Sequence, residues 1–384
     1  MFRYRVTLFR LFGFAVRVDA SWLLLALFIT WSLATGYFPT TLAGQPPATY
    51  WWMGLWGALG LFVSIIVHEF SHSLVARRLG LPITGITLFV FGGVAEMEDE
   101  PPSARAEFLM AVAGPAASLA LGGAIYLSAG VVAGPDAGVT AAVLSYLGLI
   151  NVVLAVFNLV PAFPLDGGRM LRAALWHWMG DLRRATRIAA DIGRLFGFWL
   201  IAAGILSALA GNLLGGVWWF LIGLFVIQSA GASYQQVLLR QVLGGQPVAR
   251  FMTSVPVAVP ASITLEELAA QYLFRLYFKF YPVVENDRPV GCVHTDQLKT
   301  VPREEWARRS VRDVMQPLTG ENTIGADADA MQALARMTRG GKSRLVVLDE
   351  GRLVGLIALK DLLKFFQLKV DLEGTEAPRD RLRR

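Results

Sequence analysis

Apolar residues run in long unbroken stretches through the first two-thirds of the chain and in short alternating ones after it. Six stretches, about 21–38, 50–76, 106–133, 138–160, 195–212 and 215–238, reach or nearly reach the roughly 20 residues that cross a bilayer as a helix. Only Asn212-Leu213-Leu214 and nearby glycines separate the last two, which predicts a tight helical hairpin. Residues 4–18 and 82–97 have a different pattern: both are β-rich, and the second is broken by Gly92-Gly93. They predict short strands at the membrane surface that pair with each other or with something else, because unpaired strands cannot sit in lipid.

Past residue 242 the pattern becomes that of a water-soluble protein, and it repeats. Arg250-Phe-Met-Thr is matched by Asp313-Val-Met-Gln, and the strand beginning Tyr281-Pro-Val-Val by the one beginning Arg344-Leu-Val-Val, at an offset of about 63 residues. Each unit reads helix (264–277; 327–339), strand, turn, strand, helix (295–300; 360–368). Charge sharpens the division: 25 of the first 242 residues are charged against 39 of the remaining 142, and every lysine lies in the second part. The expected fold class is an α-helical polytopic membrane domain over 1–242, with six transmembrane helices and short cytoplasmic-side β-strands. An α/β pair of repeats follows over 243–306 and 307–370, then a polar tail, 371–384, expected to be disordered. Span one is longer than a signal peptide's apolar run and has no small-x-small cleavage site before a soluble domain.

Arginine placement orients the spans. Arg3, Arg5, Arg10 and Arg17 precede span one, Arg77 and Arg78 follow span two, and Arg169, Arg172, Arg183, Arg184, Arg187 and Arg194 lie between spans four and five. Segments 39–49 and 134–137 carry no Arg or Lys. This places the protein in the cell membrane as a multi-pass chain, with the N-terminus and the repeats in the cytoplasm. The same asymmetry accounts for the net charge of +6 without nucleic acid, which is not expected as a partner. The single cysteine, Cys292, excludes an intrachain disulfide framework and a cysteine-built zinc site, and reads as a small buried hydrophobe.

Span two ends in His68-Glu69-Phe70-Ser71-His72. On a helix the two histidines are one turn apart on one face, able to hold one metal ion, and Glu69 is placed to take a proton from water at that ion. Composition alone produces this pattern on the order of once in a thousand such chains, and ionisable groups within an apolar span are costly unless they work together. A catalytic zinc needs a third protein ligand. The candidates are His177, His294, the acidic run Glu96, Glu98, Asp99 and Glu100, which reads as solvated, and Asp166 in Asn158-Leu-Val-Pro161-Ala-Phe-Pro164-Leu-Asp166-Gly167-Gly168. Asp166 is the strongest. The prolines stop span four, irregular backbone at membrane depth must line a cavity, and spans two and four run in the same direction and end in the same leaflet. His68 and His72 then lie about 15 and 9 Å below Arg78. Asn158 is expected either to hold a substrate carbonyl or oxyanion or to make an interhelical hydrogen bond.

The HEFSH helix, the Asn158…Pro161…Pro164-Leu-Asp166-Gly-Gly segment, the Gly92-Gly93 hairpin and Ala113-Gly114-Pro115 together resemble the site-2 proteases, intramembrane zinc metalloproteases of peptidase class M50, over about residues 1–240. The resemblance implies one Zn2+ per chain on His68, His72 and Asp166, Glu69 as catalytic base, and a single-span membrane protein as substrate in regulated intramembrane proteolysis. The repeats resemble a tandem pair of cystathionine-β-synthase-type (CBS) domains, which implies regulation, a homodimer or an adenine nucleotide. The usual Gly-x-x-Ser/Thr-x-x-Asp nucleotide signature is eroded: the first unit has Gly291, His294 and Gln297, the second Gly355, Ala358 and Asp361. Only Asp361 remains to contact a ribose. A transporter or channel with regulatory CBS domains is the alternative; it explains six spans but gives no reason for HExxH paired with Asp-Gly-Gly.

Overall fold

A computed structural model describes residues 5–11, 13–81, 83–89, 92–97, 101–132 and 138–373. Glu98, Asp99 and Glu100 of the acidic run and residues 374–384 of the tail lie outside the described residues. The chain forms two compact units, Met1–Val237 and Leu238–Arg384.

The first unit begins with β1 (Arg5–Leu11) and β2 (Phe14–Asp19). Helix α1 (Ser21–Ser32) continues through a π-helical turn, Leu33–Tyr37, into α2 (Phe38–Thr41). Then come α3 (Pro47–Arg78), β3 (Ile83–Phe89), β4 (Gly92–Met97), α4 (Ala104–Val132), α5 (Gly138–Asn158), α6 (Asp166–Met179), α7 (Leu182–Leu209) and α8 (Leu213–Leu243). Six helical segments are long and apolar enough to cross a membrane: 21–41, 47–78, 104–131, 138–158, 182–209 and 213–243. Six membrane-capable helices make this a multi-pass membrane protein.

Two features differ from the sequence expectation. Residues 166–179 form helix α6 rather than irregular chain, and α7 begins at Leu182, so the arginine-rich stretch is helical. Arginine is a good helix former, and the Asp181 side chain caps α7 by accepting from the Arg184 N–H at 3.0 Å. The turn between α7 and α8 falls at residues 210–212, where Gly211 has a φ of +94° and Asn212 accepts from the Gly215 N–H. The two surface segments do pair: the sheet order is β1-β2-β3-β4, antiparallel except for the parallel β2–β3 pair. One face packs on α3 through Val16, Ile86 and Leu88 against Phe62, Ile65 and Ile66.

The second unit contains β5 (Thr253–Ser254), β6 (Val259–Pro260), α9 (Leu265–Glu267), a π-helical stretch Leu268–Leu273, α10 (Phe274–Leu276), β7 (Phe280–Glu285), β8 (Arg288–His294) and α11 (Thr295–Leu298). The second repeat supplies β9 (Gln316–Pro317), β10 (Thr323–Gly325), α12 (Ala330–Gly340), β11 (Arg344–Asp349), β12 (Arg352–Ala358) and α13 (Leu359–Glu373). The two sheets, β6-β7-β8-β9 and β10-β11-β12-β5, each borrow an edge strand from the other repeat. Each repeat has its own apolar core, one around Tyr281, Val283 and Val293, the other around Leu345, Val347 and Ile357. Cys292 is buried, as expected for a small hydrophobe.

Candidate metal centre

Helix α3 is placed to carry chemistry by its own sequence. Pro47 opens it, Arg77 and Arg78 occupy its last turn, and Gly80 turns the chain away with a φ of +80°. Its last turns hold His68, Glu69 and His72, the two histidines buried and Glu69 half-buried. Asp166, the first residue of α6, is also buried. Its Oδ2 lies 3.0 Å from His68 Nε2 and 3.1 Å from His72 Nε2, and the two Nε2 atoms are 3.3 Å apart. Among the described residues this is the one His/Cys/Asp/Glu group whose ligand atoms cluster this way. His177 is exposed near the end of α6, and His294 belongs to the second unit.

The outer ring nitrogens of both histidines are engaged by α4. His72 Nδ1 donates to the Met110 carbonyl at 2.6 Å, which leaves Nε2 of the neutral ring as a lone pair. His68 Nδ1 lies 2.9 Å from Ser118 Oγ, a hydroxyl that can accept from it and so leave Nε2 as the inward lone pair. The Asp166 carboxylate, when ionised, has only lone pairs to offer. Three groups able to donate an electron pair thus converge on one point, where a proton or a metal cation can be shared among them. Their spacing suits zinc: ligand atoms about 2.0–2.1 Å from a tetrahedral ion are about 3.3–3.4 Å from one another.

The cradle around this point is bare on one side. A Cβ on Gly114 of α4 would lie 2.2 Å from His72 Nε2 and 2.6 Å from His68 Nε2. A Cβ on Gly93 of β4 would lie 2.4 Å from Glu69 Cγ, so the last strand of the sheet reaches the acid's side chain only because residue 93 has none. Gly167 and Gly168 are helical; they are needed for contact, since Cβ atoms there would strike the Leu159 carbonyl at 2.2 Å and the Phe163 nitrogen at 2.3 Å. Residues 159–165 are thereby folded back against the helix that presents Asp166.

Asn158 ends α5, half-buried, with its amide donating to the Leu154 carbonyl of its own helix at 2.9 Å. The interhelical amide is instead Asn151, two turns earlier, which donates to Ser64 of α3 at 2.8 Å. In the second unit Asp361 is half-buried in the first turn of α13. The corresponding polar groups of the first repeat cap their own helix: Gln297 Oε1 accepts from the His294 N–H, and His294 Nδ1 from the Asp296 N–H. Sequence reasoning missed Met110, Ser118 and the metal-side role of Gly114. For Met110 the contributing atom is backbone and leaves no side-chain signal.

A helical multi-pass membrane unit with a buried two-histidine, one-carboxylate centre, followed by paired α/β repeats, defines a membrane metalloenzyme with an appended regulatory-type module. Comparison with known proteins gives the family. The profile of peptidase family M50 matches residues 56–135 and 133–200, and the CBS domain profile matches 248–303 and 311–368. The chain is 36% identical over 371 residues to the protein named zinc metalloprotease Rip3 in Mycobacterium tuberculosis, covering 95% of this chain and 94% of that one. It is 33% identical over 317 residues to a zinc metalloprotease of Methanocaldococcus jannaschii, covering 82% and 86%. The solved site-2 protease of M. jannaschii is 29% identical and covers 60% of this chain and 94% of that chain at a TM-score of 0.43. The chain belongs to peptidase family M50 and carries a tandem CBS pair.

Proposed function

We propose that this protein is a zinc-dependent intramembrane protease that hydrolyses a peptide bond in or near the transmembrane segment of a single-span membrane protein. The observation that carries the reading is the convergence of His68 Nε2, His72 Nε2 and Asp166 Oδ2 within 3.0–3.3 Å beside the Glu69 side chain. His68, His72 and Asp166 would hold one zinc ion. When bound, zinc supplies a Lewis acid that polarises the scissile carbonyl and acidifies water.

The chain's own groups do the rest. Glu69 takes the proton from the attacking water and returns one to the leaving amine nitrogen. The Met110 carbonyl fixes the tautomer of His72, and together with Ser118 it orients the two imidazoles. Asn158 spends one amide N–H on Leu154 and has a second to offer a substrate carbonyl. A helical substrate hides its peptide bonds in its own hydrogen bonds and must unwind before attack. Strand β4, last in the sheet and in contact with Glu69 through Gly93, offers an edge on which an unwound segment can add as a strand.

The arginines at the end of α3, in α6 and at the start of α7 support a cytoplasmic N-terminus and cytoplasmic CBS domains. The CBS pair is assigned to regulation or to homodimer formation. Asp361 is its remaining match to a ribose-contacting carboxylate and marks where adenine nucleotide binding is tested. Reconstitution in vesicles with a single-span substrate tests the whole. Glu69→Gln is expected to keep zinc and lose cleavage. Ion flux that survives this substitution, with no proteolysis by the unsubstituted protein, selects the transporter alternative.

A further inference from the structure

We infer that Glu107 and Arg172 are a positioning pair that sets the Asp166 carboxylate against the two imidazoles; the inference rests on the metal-centre reading above. Glu107 lies in the first turn of α4 and is wholly buried; Arg172 lies in α6 and is buried too. Arg172 Nε donates to Glu107 Oε1 at 2.7 Å, and its terminal nitrogen contacts the same oxygen. The guanidinium carbon also stands 5.1 Å from the centre of the Phe163 ring, in the segment folded back before Asp166. One side chain therefore ties together α4, α6 and residues 159–165.

Its place in α4 gives the pair its meaning. Glu107, Met110, Gly114 and Ser118 follow one another at steps of three, four and four residues, a single stripe of a helix. Met110 orients His72, Gly114 leaves room for both Nε2 atoms, and Ser118 orients His68. Glu107 is the member of that stripe that reaches α6, where Arg172 is six residues, about 9 Å of helix, from Asp166. The third ligand is thus registered to the same helix that registers the first two. Apolar residues of equal volume would hold α4 to α6 as firmly, because burying two charges costs about what their attraction returns. What the ion pair adds is a fixed register, and ligand positions must be right to within about 0.2 Å.

The test uses the full chain in detergent, zinc affinity by chelator competition, and the melting temperature of the metal-free protein. Glu107→Gln is expected to weaken zinc binding about 10-fold, the lower end of the loss on removing a ligand's own hydrogen-bond partner, and to lower kcat with KM unchanged. The double substitution Glu107→Gln with Arg172→Met removes the stranded charge, so it is expected to recover the metal-free melting temperature without recovering zinc affinity. Unchanged zinc affinity in either folded variant, or affinity that recovers in step with melting temperature in the double variant, overturns the inference and leaves the pair a packing element. An unsubstituted chain that binds no zinc overturns the metal-centre reading instead.

Discussion

Gly114→Ala is the most demanding test of the centre, because it adds a single methyl group where the ligand atoms point. The new carbon would lie 2.2 Å from His72 Nε2 and 2.6 Å from His68 Nε2. Ordinary contact begins near 3.5 Å, so an imidazole or the α4 backbone must move by about 1 Å. His72 has little freedom to do so, since its Nδ1 is held at 2.6 Å from the Met110 carbonyl on the same helix as residue 114. A displacement of about 1 Å is some five times the tolerance of a metal–ligand bond, about 0.2 Å. The expected loss in zinc affinity is at least ~100-fold, or about 2.7 kcal/mol. Cleavage activity is expected to fall with it.

Folding without metal should change far less. Alanine improves helix propensity by about 1 kcal/mol, and overpacking costs about 1–3 kcal/mol. Two measurements on detergent-purified protein separate the effects: bound zinc by chelator competition, and thermal unfolding in excess chelator. Gly123→Ala, nine residues along the same helix with open space around its Cβ direction, is the control and should bind zinc normally. If Gly114→Ala holds zinc within a few-fold of the unsubstituted chain, the ligand atoms do not converge where the structure puts them.

The other expectations concern neighbouring groups. Gly93→Val places carbon against Glu69 Cγ rather than against the ligands, so cleavage should drop by about 100-fold, as for a misplaced reacting group, with zinc content unchanged; loss of zinc would show that β4 supports the ligands rather than the base. Ser118→Ala removes the partner of His68 Nδ1 and should weaken zinc about 10-fold, measured by the same competition. In the second unit, burial pushes the Cys292 thiol up against weaker opposing effects from Lys342 and Asn322. It should therefore resist alkylation at pH 8 in the folded protein and react readily in denaturant; rapid labelling of the native chain would contradict its burial.

Local chemistry was the most legible part of the sequence. The i, i+4 histidines needed only a helix to meet. Asp166 could be placed because span direction puts the ends of α3 and α5 in one leaflet and competing ligands were few. Helix α6 was not legible, because Asp166-Gly167-Gly168 after two prolines carries the residue types of a helix stop. Here the glycines serve contact, not conformation, and only the position of Leu159 and Phe163 reveals that. The start of α7 was recoverable in principle from Asp181 as a cap before Leu182, but charge density argued for a loop. Glu107 carried a signal too: an ionisable residue heading an apolar span needs a partner, though nothing local identifies Arg172 as that partner.

The division of labour among the helices follows from what each can supply. A helix can present two side chains to one ion at i and i+4, but a third from the same face would lie about 5 Å or more further along the axis. The carboxylate must therefore come from another element, and two elements packed in lipid have no hydrophobic force to set their register. Something polar has to do it, and the polar contacts to the outer nitrogens of both imidazoles are made by one stripe of α4. That stripe must also be thin at its middle, where Gly114 faces the ligand atoms. Polar contacts above and below a glycine are what a helix needs in order to align ligands from two neighbours while leaving the space between them free.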